Sequence, residues 1–192
     1  MLLSGQGKKI VVYLAFTMPS SLPEGFPPPT PPQSIEVKDY PAYRAATVRY
    51  EGDLGRATGF TFEPLFRHIS TNNIAMTSPV EARYLAETRS EDNFGQAEVS
   101  FLYRSVDILP ERIASGVEVV DREPMQVVST GVQGNYSWAN YCEHIERLRA
   151  WLALHPEYKP VGVPRRFFYD SPFVAEDLKR SEVQIPVERT GH

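Results

Sequence analysis

The chain repeats itself, and that repetition constrains the fold more than any other feature. The segment opening at Ile35, IEVKDYPAYRAATVRYEGD, lies without gaps on the one opening at Val117, VEVVDREPMQVVSTGVQGN. Glu36, Val37, Asp39 and Gly52 coincide with Glu118, Val119, Asp121 and Gly134 at a single offset. Each segment reads as a short strand, a turn and a longer β-rich strand, ended by a glycine that can take positive φ ahead of a helix. Internal periodicity of this kind marks a unit that cannot bury its apolar face alone.

Helices are expected at corresponding places. Thr61 reads as an N-cap with Pro64 in the first turn, and Phe62, Leu65, Phe66 and Ile69 then form one apolar stripe, which predicts a helix near Thr61 to Ser70. In the second half Trp138, Tyr141, Cys142, Ile145, Leu148 and Leu152 keep the same spacing, predicting a helix over Ser137 to Leu154 that stops before Pro156. Strand pairs close each half: GQAEVSFLY (Gly95 to Tyr103) parallels KRSEVQIPV (Lys179 to Val187), with Glu98-Val99 opposite Glu182-Val183.

The expected fold class is therefore α+β. Two βαββ repeats, at about 34–105 and 116–188, join into a curved, mainly antiparallel sheet or distorted barrel flanked by two helices, with a pseudo-twofold axis between halves. Residues 34–192 form this domain. Residues 1–33 precede it as an N-terminal strand, Lys9 to Phe16, followed by the tract Pro19 to Pro32, which holds seven of the seventeen prolines and reads as an extended connector. A proline-recognition ligand is the sharper alternative for PPPTPP.

Composition excludes several classes of function. Acidic and basic residues are interspersed and the net charge is −4, so there is no Lys/Arg tract to follow phosphates and nucleic acid is not an expected partner. The one cysteine, Cys142, leaves no intramolecular disulfide and no multi-cysteine metal site. The longest apolar run, Ile10 to Phe16, is far short of the roughly 20 residues that span a bilayer. A soluble, cytoplasmic monomer is the expectation.

The run NNIAMTSPV (Asn72 to Val80) follows the first helix. Together with the VEV…Y opening, FEPLFRHI, EVSFLYR, VEVVDREPMQVV, FFYDSPF and RSEVQIPV, it resembles the SOUL heme-binding family over roughly Ser34 to Glu188. The chain departs from that pattern at Lys179-Arg180-Ser181-Glu182, where relatives usually carry an Arg-Arg-Asn-Glu-type run. The resemblance implies reversible, non-covalent binding of heme or a related porphyrin in an apolar cleft, for carriage or sequestration, without catalysis.

Heme asks for an apolar slot, cations for its propionates and, in some proteins, an axial side chain. Of the histidines, His68 and His144 occupy the flanks of the two helices, His68 about 60° or more from its stripe. His155 and His192 are poorly placed. Arg56, Arg67, Arg83, Arg165 and Arg166 are candidate propionate partners, because guanidinium grips carboxylate bidentately. The expected ligand-binding set is His68, Phe62, Phe66, Arg67, Met76, Arg166 and Phe173, with affinity coming from burial of the macrocycle rather than from an axial bond.

Two other readings stand beside this one. FFYDSP and SEVQIPV also resemble GyrI-like small-molecule-binding domains, some of which are hydrolytic. Glu182 with Tyr136 or Tyr169 would there be the base and the hydrogen-bonding phenol. Alternatively, the cleft or the PPPTPP tract docks another protein.

Overall fold

The computed structural model describes residues 21–85 and 93–191. The expected strand at Lys9 to Phe16, His192 and the first residues of the proline tract lie outside them. The first half contains β1 (Ile35–Tyr40), β2 (Tyr43–Asp53), α1 (Ala57–Thr71), β3 (Val80–Tyr84) and β4 (Phe94–Leu102). The second contains β5 (Glu118–Arg122), β6 (Met125–Gln133), α2 (Trp138–Leu154), β7 (Tyr158–Pro160), β8 (Arg165–Phe168) and β9 (Arg180–Arg189).

All strands join one antiparallel sheet in the order β1-β6-β9-β8-β3-β4-β2-β5, with β7 alongside the end of β9. The order reads the same from either edge once each element is replaced by its counterpart in the other half. The pseudo-twofold axis thus passes between β3 and β8, whose register sets Ala82 opposite Arg166. The sheet is open, so of the two expected forms the curved sheet is present and the closed barrel is not. The first strand of each half is exchanged: β1 pairs with β6 and β5 with β2. Gly52 and Gly134, equated by the repeat, both take positive φ (151° and 130°) where the strand turns toward the helix.

Helix α1 begins four residues before the expected Thr61. Asp53 accepts from the Gly55 amide at 3.0 Å and starts a 3-10 turn over Leu54–Arg56 that runs directly into the helix. Thr61 is therefore not the cap but an interior residue, its hydroxyl donating to the Ala57 carbonyl at 2.8 Å. Helix α2 starts as expected, with Ser137 accepting from the Asn140 amide. Leu65 and Ile69 of α1 and Ile145 and Leu148 of α2 are buried against Val99, Val128, Val183 and Ile185 of the sheet. Each such side chain contributes about 1.5–3 kcal/mol.

Alternation sends the intervening residues to the sheet's other face, where no helix of the described residues packs. Tyr40, Tyr43, Ala45, Leu102, Val127 and Phe167 form a second apolar cluster there, and its cover is Phe26. The segment from Leu22 to Pro32 crosses this face as a strap: it turns at Glu24-Gly25 (Gly25 φ 74°), where the Phe26 amide donates to the Pro23 carbonyl at 3.2 Å, then runs from Phe26 to a parallel bridge between Pro32 and Gly131 and a turn at Gln33 (φ 65°) that leads into β1.

Candidate functional site

On the helix side, a row of rings runs between the two helices. Phe62 and Phe66 of α1 stack with centroids 5.5 Å apart, and Phe62 meets Phe101 of β4 edge-on at 5.4 Å. Phe101 lies opposite Val80 on β3, and Val80 opposite Phe168 on β8. Phe168 in turn meets the edge of Tyr136 at 4.9 Å. Phe62, Phe66, Phe168 and Met76 are only half-buried, each packed on the main core. Amphipathic helix and strand alternation leave these faces at the rim of the core rather than inside it.

Arg166 lies beside this row, its guanidinium 5.0 Å from the Phe168 ring and 5.5 Å from Tyr136. It is 1% exposed. It donates to the carbonyls of Ser137 (3.0 Å) and Asn135 (3.3 Å), to Asn140 Oδ1 (3.2 Å) and to Ser181 Oγ. These acceptors are all neutral, and among the described residues no carboxylate pairs with Arg166. Burial lowers its pKa, the direction expected for an uncompensated charge.

His68, which the sequence sets on a helix flank away from the apolar stripe, is fully buried. The segment after β4 packs over that flank: Tyr103 OH lies 2.7 Å from Nε2, and the Ala114 amide donates to Nδ1 at 3.4 Å. Both ring nitrogens are engaged. An accepting Nδ1 also fixes the neutral tautomer with its proton on Nε2. His144 hydrogen-bonds through Nδ1 to the Asn140 carbonyl and lines a polar groove of about 590 Å³ with Gln33, Asn140 and Arg147. His155 stacks on Trp151 with centroids 3.7 Å apart.

The remaining expected residues scatter. Arg67 is on the surface, paired with Glu63 at 3.2 Å. Phe173 is 66% exposed in the loop between β8 and β9. The structure therefore groups Phe62 and Phe66, sets Met76 in the same core rim and Arg166 at the far end of the ring row, and turns His68 into the core and Arg67 to the surface. Within the motif, Thr77 donates to the Leu102 carbonyl at 2.6 Å and Ser78 Oγ to the Tyr169 carbonyl at 3.1 Å, which ties the start of β3 to both neighbouring strands.

On the strap side lies a buried charged network. Glu182 is fully buried: Oε1 accepts from the Thr30 amide (2.6 Å), Lys38 Nζ (3.0 Å) and Tyr169 OH (3.0 Å). Its Oε2 accepts from Ser129 Oγ (2.7 Å), Tyr40 OH (3.4 Å) and Gln184. The network continues through Gln184 to Arg165, which pairs with Glu81 at 3.1 Å and lies 4.5 Å over the Phe167 ring. Tyr169 is thus the partner of Glu182, whereas Tyr136 bonds the Asp170 and Arg180 carbonyls instead. Burial and the adjacent Glu182 carboxylate push the Tyr169 and Tyr40 hydroxyls far above the usual phenol range. They are neutral donors, not bases.

The profile of the SOUL heme-binding protein family matches residues 30–186. The chain belongs to the SOUL family. No curated protein matches it in sequence. Among solved structures, the SOUL chain is similar to the EcmrR C-terminal domain, with a TM-score of 0.68 at 13% identity over 82% of this chain and 98% of that one. The longer EcmrR chain, seen in a DNA complex, is spanned to 58% of its length. A hydrolase from Listeria innocua aligns with a TM-score of 0.61 at 13% identity, covering 83% of this chain and 94% of that one. SAV2435 bound to tetraphenylphosphonium aligns with a TM-score of 0.50 at 10% identity, over 81% and 94% of the two chains. At such identities the likeness is one of fold. Among the described residues no helix is long and apolar enough to cross a membrane.

Proposed function

We propose that this SOUL-family chain binds a heme-class porphyrin reversibly and without a covalent bond, for carriage or sequestration in the cytoplasm, and that it acts as a monomer and not as an enzyme. The observation that carries this is the row of half-buried rings ending at a buried guanidinium with only neutral acceptors. A planar apolar macrocycle with anionic propionates matches both parts: rings supply burial, and Arg166 supplies a counter-charge to a propionate that takes the place of its bonds to Ser137, Asn135, Asn140 or Ser181. Phe62, Phe66, Met76 and Phe168 would hold the macrocycle. When bound, heme would add only its own iron chemistry. Neither nitrogen of His68 is free for the metal unless its bonds to Tyr103 and Ala114 break, so packing carries the affinity.

Apolar burial of a few hundred Å² at about 25 cal/mol per Å² gives several kcal/mol, enough before binding costs for roughly micromolar association. Titration of the full chain with hemin and with iron-free protoporphyrin tests this. Saturable binding of both at similar affinity is expected. No binding of either, or hemin binding that depends on His68 alone, would overturn it.

A second reading has one observation in its favour, the 3.0 Å bond from Tyr169 to Glu182. It fits a GyrI-like small-molecule site on the strap face, and two fold relatives are described as a hydrolase and as bound to tetraphenylphosphonium. Turnover of an ester or lactone that is lost in Glu182→Gln would select it.

A further inference from the structure

The strap makes contacts of the kind a bound peptide makes. Phe26 is inserted among Tyr40 (5.0 Å, edge-on), Tyr43 (5.4 Å, edge-on) and Phe167 (6.2 Å, stacked), and is 9% exposed. Four residues on, the Thr30 amide donates to Glu182 and its hydroxyl meets Ser129 Oγ at 3.2 Å. Lys38 Nζ donates to the Pro28 carbonyl at 2.8 Å and to Thr30 Oγ1. Gly131 lets the strap backbone come close: a Cβ there would lie 2.2 Å from the Thr30 and Pro31 carbonyl oxygens. These contacts read backbone groups, one ring and one hydroxyl, and the prolines of the run from Phe26 to Pro32 restrict it so that little entropy is lost on seating. The strap joins the sheet at a single bridge, outside every strand ladder.

We propose that this face is a peptide groove, occupied in cis by residues 22–32. When the strap leaves, it takes an extended, proline-rich segment from a partner, with an aromatic residue four positions before a small hydroxyl residue. The ring fills the Tyr40–Tyr43–Phe167 box, the amide of the hydroxyl residue bonds Glu182, and an intervening carbonyl bonds Lys38. The groove lies on the opposite face from the rings assigned to the porphyrin, so the two proposals stand or fall separately.

A fluorescein-labelled peptide with the sequence of residues 21–34, titrated into the full chain by fluorescence polarisation, tests this. The tethered strap competes at an effective concentration in the millimolar range, so wild type should bind the peptide at least roughly tenfold more weakly than Phe26→Ala or Thr30→Pro, whose straps are loosened. Adding Gly131→Ala to Phe26→Ala should abolish binding, because the same carbonyls would clash. Folded, loosened variants that ignore the peptide, or equal binding to wild type and variants, would overturn the proposal. Should both variants fail to fold, hydrogen exchange of the wild type decides. A releasable strap requires the Thr30 amide to exchange roughly a hundredfold faster than the Val183 amide of β9, and equal rates would mean that the strap opens only with the whole fold.

Discussion

Lys38 on β1 reaches across strand β6 to place its Nζ 3.0 Å from Glu182 Oε1 on β9, with both side chains almost fully removed from water. Deleting one charge leaves the other buried without its counter-charge, held by neutral hydrogen-bond partners alone. Lys38→Met should therefore cost about 3–5 kcal/mol in urea unfolding. Because the two side chains are coupled, Lys38→Met combined with Glu182→Gln should cost clearly less than the two single losses added together. Strict additivity would show that the pair is not energetically linked.

His68 supplies a pH signature. Burial lowers its pKa below the ordinary histidine value, so the folded chain holds it neutral while the unfolded chain takes up a proton. Below about pH 6.5 the unfolded state binds more protons, and stability falls as pH falls through that value toward the depressed folded pKa. Thermal melts between pH 7.5 and 5 should show this decline for wild type and a flatter profile for His68→Gln. A decline unchanged in the variant would assign it to other groups.

The porphyrin reading separates ring from charge. Phe66→Ala removes apolar wall and should weaken hemin and protoporphyrin alike, by about tenfold, as loss of one well-packed aromatic contact does. Absorbance titration measures both, and a loss confined to hemin would point to the metal instead.

Arg166 predicts a preference between two forms of one ligand. Hemin carries free propionates and its dimethyl ester does not, so wild type should bind the free acid about tenfold more tightly, in the range of one charge-assisted hydrogen bond. Arg166→Gln should erase that preference, as measured by competition between the two forms. A preference that survives the substitution would move the anion site elsewhere.

The duplication was legible because matched residues at one offset do matched work: Gly52 and Gly134 both turn the chain at positive φ ahead of a helix. Strand exchange was not legible, since the alternation in Ile35–Tyr40 sets which side chains share a face and says nothing of which strand lies next to them. Central strands buried on both faces also hide their polar hubs. Glu182 and Gln184 alternate with Val183 and Ile185 just as a solvent face would, and only the strap above them shows that they are core. Glu182 was still singled out beside Tyr169, which the 3.0 Å bond pairs with it, while Tyr136 went elsewhere. His68 misled because helical geometry places a residue relative to its own stripe, whereas its burial is decided by the distant segment carrying Tyr103 and Ala114.

The exchange of β1 and β5 also sets a timetable for synthesis. A ribosome that has released the whole first half has not yet made β6, the only ladder partner of β1 among the described residues, so within them Ile35–Tyr40 waits unpaired until Met125–Gln133 emerges. With the N-terminal half unable to close ahead of the C-terminal half, the nascent chain carries an open strand edge from the release of Tyr40 until β6 is made, and the two halves reach their native form together.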